Sequence, residues 1–156
     1  MIVTQTPEDR LAALGLTLPE TVPPLFSYIS TRLVGNMLYI SGQGPREEDG
    51  SYRAGKVGTE VSVERAYQDA RLTGLHLLAV AKEALGELSR VKAVVKLFGM
   101  VNATPDFEHH PQVINGCSEL LVDVLGEAGR HARSAIGMGS LPGRMTVEIE
   151  AVLQVD

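Results

Sequence analysis

The chain is poor in cysteine, aromatic residues and positive charge. Its 156 residues include one cysteine, Cys117, and no tryptophan, and aromatic residues make up 4%. A single cysteine excludes an internal disulfide framework and is typical of a reducing compartment, so we expect a cytoplasmic protein. The net charge of −5 and the scattered Lys and Arg residues disfavour nucleic-acid binding, which usually requires a basic field and stacking aromatics.

Long apolar runs and metal-binding patterns are also missing from the sequence. No stretch approaches the roughly 20 apolar residues of a membrane-spanning helix, and the first residues lack the basic and apolar segments of a secretory signal. No H-x-x-x-H or C-x-x-C pair is present, whereas a zinc site requires three or four suitably spaced ligands. We therefore expect no membrane association and no bound metal.

The hydrophobic pattern predicts one α+β domain over residues 1–156, with a short helix and a Pro-rich connector in residues 1–24. A strand pair follows, and then two long amphipathic helices are separated by an apolar strand. The first of these helices is predicted to run from an N-cap at Ser62 to Gly86, and the second to begin near Pro111. The order hairpin, helix, strand, helix, hairpin predicts that both helices cover one face of a sheet.

A polar stripe lies along the first long helix. His76 shares this stripe with Asp69, Thr73 and Glu83 at helical spacing. We interpret the stripe as a solvated face, because charged side chains of amphipathic helices usually face water.

The last 24 residues or so are predicted to form two strands joined by a Pro-Gly turn. If this turn closes a hairpin, Gly137 lies opposite Glu148, and Ala135 lies opposite Glu150. Because side chains alternate across a strand, Arg133 and the two glutamates then share one face, beside the small residues. The other face, under the helices, is predicted to carry Ile136, Met138, Val147 and Ile149.

An arginine beside two carboxylates has two interpretations. It can be an exposed cross-strand ion pair, which contributes about 0–1 kcal/mol. It can also be an anion site, because a guanidinium presents paired donors that match a carboxylate or a phosphate. Strands such as "AVVKLFGMV" are apolar on both faces, and two helices cover only one face, which favours burial of the other face by a second subunit. The arginine would then line a cleft between subunits, suited to a small anion.

Three segments, "SGQGP", "NGCSE" and "ARSAIGMGSLPGRMTVEIEA", together resemble the reactive-intermediate deaminase family (Rid, or YjgF-like) in its longer subgroup. The resemblance extends over about residues 28–155. It implies an α+β, chorismate-mutase-like fold with an antiparallel-rich mixed sheet, assembled as a homotrimer with ligand clefts between subunits. Members hydrolyse 2-imino and 2-enamino acids to 2-keto acids and ammonia. An iminium carbon is already electrophilic, so this chemistry needs positioning and a proton shuttle but no cofactor.

The same resemblance implies roles for individual residues. Arg133 would grip the substrate carboxylate, and Glu148 would hold or activate the attacking water. Active members usually carry a cysteine two residues after the arginine, where this chain has Ala135. That departure removes a thiol from the cleft but leaves the carboxylate anchor. The remaining substrate-binding candidates are Tyr28, Ser41, Gly42, Gln43 and Asn115.

Two other functions remain open at this point. The same cleft would also suit a non-catalytic or regulatory protein that binds a keto acid or another small carboxylate. A ribonuclease, a label that the family has carried, is disfavoured by the acidic charge and by the lack of a histidine acid–base pair. We therefore predict as partners a small 2-imino or 2-keto acid and further copies of this chain, and no nucleic acid.

Overall fold

The computed structural model describes residues 4–156, so the first three residues of the predicted N-terminal segment lie outside it. The helices and strands, in chain order, are α1 Pro7–Ala13, β1 Thr31–Val34, β2 Met37–Gln43, α2 Val63–Leu85, β3 Val91–Asn102, α3 His110–Leu125, β4 Ala132–Met138 and β5 Val147–Val155. The two long helices form where the sequence predicts them.

The helix ends follow local sequence signals. The Ser62 hydroxyl accepts a hydrogen bond from the backbone N–H of Arg65, and α2 ends at Gly86, whose φ of 87° favours glycine. The predicted ends of α2 at Ser62 and Gly86 are thus confirmed. The first helix begins with a capping box, because Thr6 and Asp9 each accept a hydrogen bond from the other's backbone N–H.

The five strands form one mixed sheet in the order β1-β2-β5-β3-β4. Three neighbouring pairs are antiparallel and one, β3 with β4, is parallel. Both long helices pack on one face, over fully buried side chains of the two central strands. The prediction of an α+β, antiparallel-rich sheet with two main helices on one face is thus confirmed.

The predicted hairpin of β4 and β5 is wrong, because β3 lies between these two strands. β3 pairs in parallel with β4 and antiparallel with β5, so Gly99 is the neighbour of both Ala135 and Ile149. The segment 139–146 carries the chain across the end of β3. The Pro-Gly turn signal reports only on the residues next to it. It does not show that β3, a long apolar strand, pairs along both of its edges and separates β4 from β5.

This topology reverses the predicted faces of β4. Arg133 and Ala135 have as partners the helix-side residues Leu97 and Gly99, and a Cβ on Gly137 would lie 2.6 Å from His110 Nε2 of α3. Ile136 is instead 41% exposed on the opposite side. The opposite side is termed the open face, and it carries Tyr39, Phe98, Ile136, Glu148 and Glu150. Arg133 therefore does not share a face with the two glutamates.

The polar stripe of α2 is buried, which also corrects the sequence interpretation. Asp69 and Thr73 are fully buried and His76 is 4% exposed, while Glu83 remains exposed. The segment between β2 and α2 folds over this stripe: the Asp69 carboxylate accepts hydrogen bonds from Arg53 Nη1 at 3.2 Å, Arg65 Nε at 3.1 Å and Thr146 Oγ1 at 2.7 Å. Through the pair of Arg53 with Asp69, the stripe holds the long segment between β2 and α2 against the helix.

Candidate functional site

Glu148 lies on the open face because it alternates along β5 with the fully buried Val147 and Ile149. Its carboxylate packs against the backbone of Gly42 on the neighbouring strand. A Cβ at Gly42 would collide with Glu148 Oε1 and would lie 3.0 Å from Cδ and 3.1 Å from Cγ. Only glycine leaves room for the carboxylate in this position.

The surroundings of Glu148 make its carboxylate more basic than usual. Burial raises its pKa, and the negative charge of Glu150, two residues along the same face, raises it further. A carboxylate with a raised pKa accepts a proton from water more readily near neutral pH. Glu148 is therefore suited to the role of a general base.

Tyr28 and Ser41 line a groove on the same face. The groove has a volume of about 420 Å³. The Ser41 hydroxyl donates to the backbone carbonyl of Ile29 at 2.7 Å, and Gln43 Nε2 donates to the carbonyl of Ser41 at 3.0 Å. The first bond ties the segment that carries Tyr28 to β2, and the second lies within β2. The other lining residues are Ile29, Arg32, Tyr39, Ile40, Lys96, Phe98, Glu150, Ala151 and Val152.

Arg133 lies on the edge strand β4 and points toward α3. Its Nη1 donates to Ser118 Oγ at 3.0 Å, and its Nη2 donates to the backbone carbonyl of Pro111 at 3.2 Å. Within residues 4–156, no carboxylate forms an ion pair with Arg133. A guanidinium has five N–H donors, so donors remain for an anionic ligand.

Asn115 and Ala135 lie on the same side of the sheet as Arg133, away from Glu148. Asn115 lies on α3 four residues after Pro111 and three before Ser118, which places all three on one helix face. Ala135 packs against the buried core on the helix side of β4. Ser118 is not among the residues predicted from the sequence, although its position one helical turn beyond Asn115 was a usable signal.

The structure thus divides the predicted residues into two groups on opposite sides of the sheet. Tyr28, Ser41, Gly42 and Glu148 belong to the open face, with Gln43 at the end of the same strand. The second group consists of Asn115, Arg133 and Ala135 at the edge formed by β4 and α3. One chain therefore does not present the arginine and the glutamate to one small ligand.

Cys117 is not placed for chemistry. Its side chain is fully buried, and burial raises the pKa of the thiol to about 12. No cluster of three or more His, Cys, Asp or Glu side chains suited to a metal occurs in residues 4–156. In the same part of the chain, no helix combines the length and apolar character needed to cross a bilayer.

Comparison with known proteins identifies the family. Residues 8–146 match the family described as "YjgF/chorismate mutase-like, putative endoribonuclease". The chain belongs to the YjgF-like family. The match includes strands β1 to β4 and ends just before β5, and it overlaps most of the segment that resembles the family in sequence.

Individual relatives cover nearly the whole YjgF-like chain. It is 38% identical over 148 residues to the protein TCP17 of Trypanosoma cruzi, covering 94% of this chain and 92% of that one. A structure of a protein of unknown function from Agrobacterium tumefaciens is 44% identical with a TM-score of 0.88, covering 97% and 92% of the two chains. A putative endoribonuclease from Shewanella oneidensis is 36% identical with a TM-score of 0.93, covering 97% and 100%.

Proposed function

We propose that this YjgF-like chain is a hydrolytic deaminase that converts small 2-imino and 2-enamino acids to 2-keto acids and ammonia. The observation that carries the proposal is Arg133, a half-buried arginine held by α3 without a carboxylate partner in the described chain. Such a guanidinium suits the planar carboxylate that every 2-imino acid carries. The basic Glu148 supplies the second group that hydrolysis requires.

The cleft is proposed to lie between subunits of a homotrimer. Arg133 lies on the edge strand β4, while Glu148 lies on the open face, which leaves Tyr39 and Ile136 48% and 41% exposed. Packing the β4 edge of one copy against the open face of the next buries these side chains and brings the two groups together. Light scattering should give a mass three times that of one chain, and a stable monomer would remove this cleft.

The residues support a short reaction sequence. Arg133 of one copy binds the substrate carboxylate and fixes the C2 carbon near Glu148 of the next copy. Glu148 accepts a proton from water as the hydroxide attacks C2, giving a tetrahedral carbinolamine. The proton then passes from Glu148 to the nitrogen, and the C–N bond breaks with its electron pair on nitrogen. The carbinolamine hydroxyl proton moves to the departing ammonia, so a protonated imine and one water give the 2-keto acid and ammonium. One water is consumed and Glu148 is regenerated, so no cofactor is required.

The test is keto-acid release from 2-iminobutyrate generated in situ. Wild type should accelerate release, and Arg133→Ala should not, because the substrate loses its anchor. Arg130→Ala is the matched control, because Arg130 is exposed and its one ion pair among residues 4–156 is with Glu127 at 3.8 Å. Equal rates for wild type and buffer would reject the deaminase. If 2-ketobutyrate still raised the Tm of the wild type but not of Arg133→Ala, the deaminase proposal would give way to a non-catalytic carboxylate-binding function.

A further inference from the structure

Arg133 is the first member of a chain of hydrogen bonds that the deaminase proposal does not use. Arg133 Nη1 donates to Ser118 Oγ at 3.0 Å, and Ser118 Oγ lies 2.9 Å from His131 Nε2. His131 Nδ1 lies 2.6 Å from the backbone carbonyl oxygen of Gly129. All three side chains are partly buried, and they come from α3, from β4 and from the residue before β4. These hydrogen bonds therefore join α3 to β4 at the edge of the sheet.

The direction of each hydrogen bond follows from the chemistry of its partners. A carbonyl oxygen only accepts, so His131 Nδ1 carries a proton and donates to Gly129. Burial and the charge of Arg133 lower the pKa of His131, so the ring is neutral at pH 7 and its Nε2 accepts. The Ser118 hydroxyl consequently donates to His131, which leaves its oxygen lone pairs to accept from Arg133.

This arrangement holds the guanidinium from one side. Arginine carries several rotatable bonds, and an unrestrained side chain loses rotamer freedom when it binds a ligand. Ser118 and the carbonyl of Pro111 each bond a different terminal nitrogen, so the plane of the guanidinium is fixed before a ligand arrives. Because the Ser118 hydroxyl donates its hydrogen bond to His131, its hydrogen points away from the Arg133 guanidinium.

We propose that Ser118 and His131 are positioning residues that orient Arg133 to grip the substrate carboxylate. The inference rests on the proposed function, because Arg133 acts there as the substrate anchor. It assigns His131 the role of a fixed acceptor rather than of an acid or base. The carboxylate is present unchanged in substrate and transition state, so a misplaced Arg133 weakens both complexes alike.

The expected kinetic effect is a change in KM. Ser118→Ala removes the acceptor for Arg133 Nη1, and we expect KM for the imino acid to rise about 10-fold with kcat changed less than about 2-fold. His131→Ala should raise KM in the same direction, because Ser118 then loses its fixed orientation. Ser118→Thr keeps the hydroxyl and should return KM to near the wild-type value.

Two matched substitutions and one spectrum complete the experiment. Ser89→Ala and His109→Ala remove an exposed serine and an exposed histidine outside this hydrogen-bond chain, and they should leave KM unchanged. The Tm of every variant, by circular dichroism, checks that it folds. Long-range ¹H–¹⁵N spectra of the histidine rings should show His131 as the Nδ1–H tautomer, and Ser118→Ala should shift its Nε2 signal.

The outcomes separate this inference from the proposed function. A wild type active on imino acids, with Ser118→Ala and His131→Ala unchanged in KM, overturns the positioning role and leaves the deaminase intact. An inactive wild type that shows the Nδ1–H tautomer and its shift in Ser118→Ala supports the hydrogen-bond chain while rejecting the deaminase. The Nε2–H tautomer, or a fall in kcat without a change in KM, overturns the inference.

Discussion

The contact between Gly42 and Glu148 makes Gly42→Ala a demanding test of the site. The new Cβ would collide with Glu148 Oε1 and would lie 3.0 Å and 3.1 Å from Cδ and Cγ. Cδ and Cγ need to shift by only a few tenths of an ångström, whereas Oε1 has to leave its place beside Gly42. The side chain must swing away from β2, and the open face offers it space.

The expected magnitudes differ for stability and for catalysis. Relief of an overpacked contact typically costs about 1–3 kcal/mol, and we expect the lower end here because Glu148 is only half-buried. That lowers the Tm of a domain of this size by about 2–4 °C. Displacing a general base removes a contribution of about 10²–10⁴ to the rate, so we expect kcat/KM to fall at least about 100-fold.

The assay is steady-state release of keto acid from 2-iminobutyrate, with Gly139→Ala as the control. A Cβ at Gly139 meets nothing within 4 Å, so this variant should retain both its Tm and its kcat/KM. A folded Gly42→Ala protein with the wild-type kcat/KM would refute the reasoning, because it would show that the position of the Glu148 carboxylate does not matter to the reaction.

Three further predictions follow from buried or paired groups. Asp69→Asn should lower the free energy of unfolding by about 3 kcal/mol in urea, because it breaks a buried ion pair, whereas exposed Asp123→Asn should change it by less than about 1 kcal/mol. As the proposed general base, Glu148 must be ionised to accept a proton, so we expect activity to fall as the pH drops through its raised pKa. Glu150→Gln removes a charge that raises this pKa and should therefore move the acid limb of the kcat/KM profile to lower pH. Cys117 should react with a disulfide reagent only after unfolding, and rapid native labelling would contradict its burial.

Local signals were sufficient for the helices, and the family motifs were sufficient for the fold. Ser62 and Gly86 mark the ends of α2 because capping depends on side chains within one turn of the terminus. Alternation along β5 correctly separated Glu148 and Glu150 from the buried Val147 and Ile149. Such patterns are readable from sequence because each depends only on the geometry of one element.

Two errors arose where distant segments meet. The polar stripe with Asp69 and His76 satisfies the pattern of a solvated helix face, yet the segment between β2 and α2 covers it and supplies Arg53 as its ion-pair partner. The turn before β5 satisfies the pattern of a hairpin, yet β3 inserts between the strands. Neither the covering segment nor the inserted strand is adjacent in sequence.

The sequence by itself determined the secondary structure, the family and the types of residue available to the site. Only the tertiary structure decided where those residues lie: the parallel pairing of β3 with β4 turns Arg133 toward α3 and Ser118, while Glu148 stays on the open face against Gly42. Side-chain direction in a strand depends on its register with its neighbours, and that register is set by which strands share the sheet.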